Sequence, residues 1–562
     1  MMHKKNNMLQ RSPLSIAIIS LLAADGVYAN ANFNITPAFP LPTANFSTSS
    51  QAALFTVTNM TSSSLNGYVV SGVPTNVTQY TNTANSALCT NPINLGPNDT
   101  CLLQLNIQGP VHSPFAIAKG SSVTWSDEPL NVDLATRSLP LVAAGLNGDN
   151  SQPLIAQSPD GGTTWSYPPL PALGEAAFGD FKNASCAGLI CVAVGEELSV
   201  VPNLAFNPLI ARSQDGGLTW EYKTPANQSV SGWLHSVSCT GLTCVAVGED
   251  FLLYIPTPLI AESQDGGLTW AYQPIPILSY TQNSLKSVSC SGRYCAAVGG
   301  SNNDPAVIAT STDWGITWAQ QTITDGPSDS YFNSVSCNGP SCVAVGNYTS
   351  SSITYPYVVA NTNILSSTWN SISILSTPQG DLKSVSCVNS SCVAVGTSTS
   401  PGNNPLSVYG TANAPTWEIS SNDPSDTTGS FNGVSCAQLP ADTTMSCVAV
   451  GQTDTSALIA ASVDGGSTFV TQTISAIPES GVFNSVSCAL TNTPPQSIHC
   501  LAAGQLTDNT PLVASSQGGV LNWVYASSLS GVSQGGFSGT SASTASLLPN
   551  SLRALIDEKR RQ

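Results

Sequence analysis

Between residues 139 and 525 the apolar residues fall into short runs that lack helical spacing. The order repeats: a phrase such as SVSCTGLTCVAVG from Ser236, an apolar run such as PLIAES from Pro258, then a polar turn closing on Thr-Trp. Short apolar runs bounded by Gly, Ser, Thr and Asp read as strands and turns, and exclude a helical repeat. Each unit predicts four strands: A over SVSC, B over CVAVG, C over PLIAxS and D over the Thr-Trp segment. The marker residues Trp165, Trp220, Trp270, Trp318, Trp369, Trp417, Phe469 and Trp523 stand 55, 50, 48, 51, 48, 52 and 54 residues apart.

A period near 50 with four short strands per unit is the signature of β-propeller blades. The expected fold class is all-β: a propeller of eight four-stranded blades, seven being the alternative. Only seven units carry a clear strand A, because the first echo, LPLVAAG from Leu139, has no cysteine phrase before it. Glu128–Ala135 is the candidate for the missing strand. The propeller is expected over 128–526, behind a smaller domain over 32–127.

Sixteen cysteines fall into eight close pairs. They are Cys89 with Cys101, Cys186 with Cys191, Cys239 with Cys244, Cys290 with Cys295, Cys337 with Cys342, Cys387 with Cys392, Cys436 with Cys447 and Cys488 with Cys500. In five of them a four-residue gap fits a hairpin that sets the two side chains opposite each other across strands A and B. Disulfides are the expectation. Zinc would need convergent ligands, often histidine, and the chain holds only His3, His112, His235 and His499. No metal and no cofactor are expected.

The N-terminus fits that chemistry. His3, Lys4, Lys5 and Arg11 precede the apolar run Leu14–Ala24 and small residues near Ala29, the pattern of a signal peptide over 1–31. No stretch reaches the ~20 apolar residues of a transmembrane helix. A secreted, periplasmic or cell-surface protein, monomeric, is expected. A net charge of −17 leaves no basic surface for phosphates, which argues against nucleic acid.

The turn before strand D reads SPDGGTTW from Ser158, SQDGGLTW from Ser213 and again from Ser263, STDWGITW from Ser311 and SVDGGSTF from Ser462. This S-x-D-x-G-x-T-W pattern resembles the Asp-box, or BNR, repeat. Over about 138–525 the chain is thus similar to Asp-box β-propellers, a group that includes sialidases and the photosystem-assembly-factor type. The carboxylates Asp160, Asp215, Asp265, Asp313 and Asp464 read as structural, each accepting hydrogen bonds inside its own turn, with Gly supplying positive φ. One turn offers too few oxygens for calcium.

The same resemblance raises sialidase chemistry: an arginine triad, a tyrosine nucleophile backed by a glutamate, and an aspartate acid. The propeller region holds only Arg137, Arg212 and Arg293, the last inside a cysteine hairpin. His235 and His499 have no nucleophile motif beside them. The expectation is a non-catalytic binding protein for a glycan or protein ligand, the alternative being a sialidase-like glycoside hydrolase.

Strand order puts the A–B and C–D turns on one face and the B–C and D–A loops on the other. The disulfide hairpins and the Asp-boxes are thus expected to share one stapled face. The second face carries the varied loops Glu196–Asn207, Glu249–Thr257 and Asn347–Pro356, where binding is expected. At the entrance to strand A stand Lys182, His235, Lys286, Asn333, Lys383, Asn432 and Asn484, three of the four propeller lysines among them. They are either solvated strand-entry residues repeated by duplication, or a polar, partly cationic ring for an acidic or hydroxyl-rich ligand. Trp233, Tyr331 and Phe332 are candidate stacking surfaces for a sugar or peptide, core packing being the other reading of each.

In 32–127, alternating runs at Ala52–Asn59 and Tyr68–Val73 and the pair Cys89 and Cys101 suggest a β-sandwich resembling the Ig-like modules of bacterial surface proteins. Residues 527–562 read as a Gly/Ser-rich tail ending in a short amphipathic helix.

Overall fold

The computed structural model describes residues 28–29, 33–37, 51–59, 62–71, 77–81, 88–107, 116–119 and most of 140–542. The signal-peptide run, Glu128–Ala135 and the C-terminal helix candidate lie outside the described residues. Every regular element described is a β-strand. The chain divides into two units, one of residues 1–138 with 549–562, the other of residues 139–548.

In the first unit Gln51–Asn59 and Thr100–Ile107 pair at the centre of a five-stranded sheet, and Leu65–Ser71 is the middle strand of a three-stranded one. Val57, Ile93 and Leu103 are fully buried, and Cys89 and Cys101 form a disulfide. Buried Asn59 satisfies its amide by donating to the carbonyls of Ser63 and Gly96, at 2.8 Å each.

The second unit is an all-β propeller. Its sheets run A-B-C-D from inside to outside, as in Ala177–Ala187, Ile190–Ser199, Ala205–Ser213 and Glu221–Tyr222. Seven inner strands follow in order: Ala177–Ala187, Gly232–Thr240, Ser284–Ser291, Ser330–Asn338, Gly380–Val388, Gly429–Ala437 and Gly481–Leu490. The remaining sheet takes its inner strand from the far end of the chain. Gly535–Ala542 pairs antiparallel with Leu141–Asn147, from Gly535↔Asn147 to Ala542↔Leu141.

That strand replaces two expectations. The inner strand beside LPLVAAG is not Glu128–Ala135, and the segment after residue 527 is not all tail. The residues FSGTSA from Phe537 repeat FNSVSC from Phe483 with the cysteine lost. A strand so rich in Gly and Ser is indistinguishable from a linker by composition.

The serines of SVSC explain how the ring holds. Cys239 N–H donates to Ser185 Oγ (2.9 Å), Cys290 to Ser238 (3.0 Å), Cys337 to Ser289 (3.0 Å) and Cys387 to Ser336 (3.0 Å). Cys436 then donates to Ser386 (2.9 Å), Cys488 to Ser435 (2.9 Å), Ala542 to Ser487 (3.0 Å) and Cys186 to Ser541 (2.8 Å). Each bond joins one inner strand to the next, and the eighth returns to the first. Neighbouring inner strands lie outside each other's ladders, so these hydroxyls take up backbone donors no sheet partner reaches.

Strand B is buried along its whole apolar run, as in Cys191–Val194, where half-exposed strands would alternate. The reason is that each sheet has a neighbour on both faces. Val192, Val194 and Ile210 of one sheet pack on Leu234, Val237 and Ala246 of the next, with Trp270 in the same cluster.

All eight cysteine pairs are disulfides, and no described cysteine is free. Within the propeller each joins directly opposed residues. Cys186 faces Cys191, Cys239 faces Cys244, Cys290 faces Cys295, Cys337 faces Cys342 and Cys387 faces Cys392. The two pairs with long inserts keep the same register, Cys436↔Cys447 and Cys488↔Cys500.

The bridges reach beyond the turn face, because the strand-B half of each is core. Cys191, Cys244, Cys295, Cys447 and Cys500 are fully buried, and Cys342 and Cys392 nearly so. Cys244 shares an apolar cluster with Trp270, Cys295 with Trp318, Cys342 with Trp369 and Cys392 with Trp417. The physical reason is the burial of strand B on both faces, which places its cysteine between sheets while the strand-A cysteine, Cys436 excepted, stays half-buried at the inner edge. Such a set of bridges belongs to an oxidising compartment. Among the described residues no helix is long and apolar enough to cross a membrane.

Candidate functional site

Two faces of the ring differ in what their polar groups do. On the turn face, Asp215 accepts from Thr219 N–H (2.9 Å), Thr219 Oγ1 (2.6 Å) and Ser213 Oγ (2.8 Å), and Trp220 Nε1 donates to Gly217 O (2.9 Å). Asp160, Asp265, Asp313 and Asp464 repeat the arrangement. Burial opposes ionisation of Asp464, yet its turn hydrogen bonds prevail and hold the carboxyl near 2. A methyl group on Gly217, at φ 91°, would sit 3.0 Å from Val142 of the preceding sheet. Gly216 N–H reaches Leu189 O in the cysteine hairpin, so turn and hairpin share this face.

On the opposite face, every inner strand carries a β-bulge at the strand-entry position. The register slips between Phe181/Asn183, Leu234/Ser236, Leu285/Ser287, Phe332/Ser334, Leu382/Ser384, Phe431/Gly433, Phe483/Ser485 and Phe537/Gly539. The bulged residues are therefore Lys182, His235, Lys286, Asn333, Lys383, Asn432, Asn484 and an eighth the repeat did not reveal, Ser538. A bulge re-aims a side chain and recurs beside binding sites.

The glycine ending CVAVG exists for this bulge. A methyl group on Gly248 would lie 1.9 Å from Trp233 O, and the corresponding glycines are equally crowded. The residue before each bulge, from Phe181 to Phe537, points between sheets and is fully buried. Phe332 belongs to that set, so it is core rather than a stacking surface.

The neighbours of the bulged residues decide their state. Asn333 Nδ2 donates to Leu382 O (2.8 Å), Asn432 to Phe483 O (3.1 Å) and Asn484 to Phe537 O (2.9 Å), each in the next sheet. These amides stitch the ring. Lys182 sits between Asp180 (2.7 Å) and Glu196 (2.9 Å). Burial works against its charge, but the two carboxylates outweigh it and keep the ammonium above its ordinary pKa. Lys383 donates to Asn432 Oδ1 at 3.1 Å.

Lys286 differs. Its ammonium is 3.0 Å from His235 Nε2 and 3.8 Å from the nearest Glu249 oxygen. Burial lowers its pKa, and the Glu249 charge only partly restores it. His235 Nε2 also meets Glu249 at 3.1 Å, and burial brings the imidazole below its ordinary value. Glu249 resists its own burial through His235 and Lys286, so it stays ionised. Trp233 donates Nε1 to Glu249 and presents its ring edge-on to Phe206 and Phe251, at 5.7 and 4.7 Å.

Lys286 and Tyr331 line a cavity of about 420 Å³, together with Glu249, Asn333, Asn347 and Asp381. The cavity crosses four successive sheets at the ring's mouth. Burial pushes the Tyr331 hydroxyl up to about 12 and raises the Asp381 carboxyl, which Lys383 opposes. Asp180, Glu196, Glu249 and Asp381 thus face three lysines, so the mouth is not a cationic ring. Asp180 and Asp381 escaped the sequence reading because they stand two residues before a bulge, where strand alternation fails as a guide. Glu196 and Glu249 directly follow the crowded glycine and carried a signal in that position.

Arg212 and Arg293 do not reach this cavity. Arg212 donates to Gly266 O (2.7 Å) and pairs with Glu221 (3.2 Å), while Arg293 donates to Thr312 O (2.7 Å) beside its hairpin. Arg137 lies outside the described residues. No group of three or more His, Cys, Asp or Glu among the described residues is placed to hold a metal ion.

No family model matches the chain, and no curated protein matches it. Among solved structures it is similar to that of YCF48 bound to D1 peptide, with 15% identity and a TM-score of 0.36, over 59% of this chain and 94% of that one.

Proposed function

We propose that this protein is an exported, non-catalytic binding protein of the Asp-box type, which receives a glycan or protein ligand at the loop-face mouth of its propeller. One observation carries the reading: the cavity of about 420 Å³ into which the bulges turn Lys286 and Asn333 beside Tyr331, Glu249 and Asp381. Its volume falls within the ~300–1,000 Å³ of small-ligand pockets, and its convergent polar groups can fix a ligand's orientation. The signal-peptide pattern at the N-terminus and the disulfides support export, and the sandwich-like first unit fits a spacer or second binding module.

Arrays of glycans and of peptides, probed with oxidised protein, test this directly. Ligands should bind, and Tyr331→Ala together with Asp381→Ala should weaken them at least tenfold while the melting temperature holds. Binding that is indifferent to both substitutions removes the mouth from the reading. Turnover of a fluorogenic sialoside, lost on Glu249→Gln, favours the hydrolase instead.

A further inference from the structure

Resting on the mouth as the binding site, we infer that its ligand is a short peptide with free ends, held by its carboxylate at Lys286 and by its ammonium at Asp381. The cavity is polar, with Lys286 beside Glu249 at one end and Asp381 at the other. At one end Lys286 gives one donor to His235 and has no carboxylate closer than 3.8 Å, which leaves donors for an incoming anion. Glu249, which also accepts from Trp233 Nε1, offsets part of its charge from 3.8 Å without taking a hydrogen bond from it.

At the other end stands Asp381. Lys383, two residues on, turns its ammonium to Asn432 in the next sheet. No ion pair within 4.0 Å joins Lys383 to Asp381 among the described residues. Between the two ends run Tyr331, Asn333 and Asn347 of the intervening sheet, a phenol and two amides that can meet a peptide's carbonyls and N–H groups. A neutral glycan would leave Asp381 without a cationic partner, which a peptide's ammonium supplies.

Length follows from the same layout. Lys286 and Asp381 belong to inner strands separated by a third, Ser330–Asn338. An extended peptide, advancing about 3.5 Å per residue, can cross that intervening strand.

A tripeptide library with free ends, compared with its N-acetylated and C-amidated forms by calorimetry on the full chain, tests the assignment. Blocking either end should weaken the best binders at least tenfold. Lys286→Gln should erase the effect of amidation and keep that of acetylation; Asp381→Asn should do the reverse. Blocked peptides binding as tightly as free ones overturn the proposal. So does binding confined to glycans, which leaves the mouth as a binding site. If neither class binds, both readings fall.

Discussion

Lys182 and Lys286 occupy the same position of the repeat, on the same bulge, two sheets apart. One is clamped between Asp180 and Glu196; the other leans on a neutral imidazole and lines a cavity. The bulge fixes where each side chain goes, while residues outside the repeat phrase fix what it does there. Duplication has therefore given the ring one rigid device used eight times, and local substitutions have made a structural ion pair of one copy and a candidate ligand donor of another.

The shared part of the comparison is the device itself, and breaking it should have the largest effect. Gly195→Ala and Gly299→Ala each drive a methyl group to 1.9 Å from a backbone carbonyl, Asp180 O and Ser284 O. Both should cost at least about 3 kcal/mol in urea unfolding, or prevent folding, because backbone cannot yield as a side chain can. Equal damage at the two sites is the expected result; tolerance at Gly299 alone would mean that the bulge under Lys286 is dispensable.

The unshared part follows. Lys182→Met leaves Asp180 and Glu196 facing each other, partly buried, and should cost about 1–3 kcal/mol. Lys286→Met removes only the longer pairing with Glu249, at 3.8 Å, and should cost less, under about 1 kcal/mol. Equal losses in urea midpoints would erase the distinction drawn between the two lysines. Asp265→Ala, on the far face, should cost about 1–2 kcal/mol by freeing Thr269 N–H and the Ser263 hydroxyl, with ligand affinity unchanged.

Much of this architecture was legible because the repeat spells it out. SVSC and CVAVG name the paired strands, the opposed cysteines give their register, and S-x-D-x-G-x-T-W marks the turn. Spacing could pair Cys244 with Cys239, but it could not say that Cys244 lies in the core, since that depends on the sheet packed against it. Ring closure was not legible either, because FSGTSA keeps the phenylalanine and the second serine of strand A but loses the first serine and the cysteine that flagged every other copy. At the site, the strand-entry position was visible as a column of Lys, His and Asn. Its charge balance was not, because a bulge puts Asp180 and Asp381 on the side that plain alternation assigns elsewhere. Trp233 shows the same limit, its ring contacts being set by Phe206 on strand C of the preceding sheet and Phe251 just past strand B of its own.

The smallest expected effect separates the two lysines by pH. His235, which contacts Lys286, is held below 6.5 by burial first, then by the charges of Lys286 and Lys182, against the pull of Glu249. Between its folded pKa and 6.5 the unfolded chain binds more protons than the folded one, so stability rises with pH there and is flat above. On acidification it is lost as pH falls from 6.5 through the folded value. His235→Gln should flatten that limb. Asp464 acts lower: its depressed pKa gives stability present above 3.8 and lost as pH falls toward 2, so Asp464→Asn should flatten only the acid end. Protonated His235 also repels Lys286, which it touches, more than the clamped Lys182. Peptide affinity should therefore change through the upper window in the wild type, and that change should vanish in His235→Gln; an unaltered profile would detach Lys286 from the imidazole and return it to the same standing as Lys182.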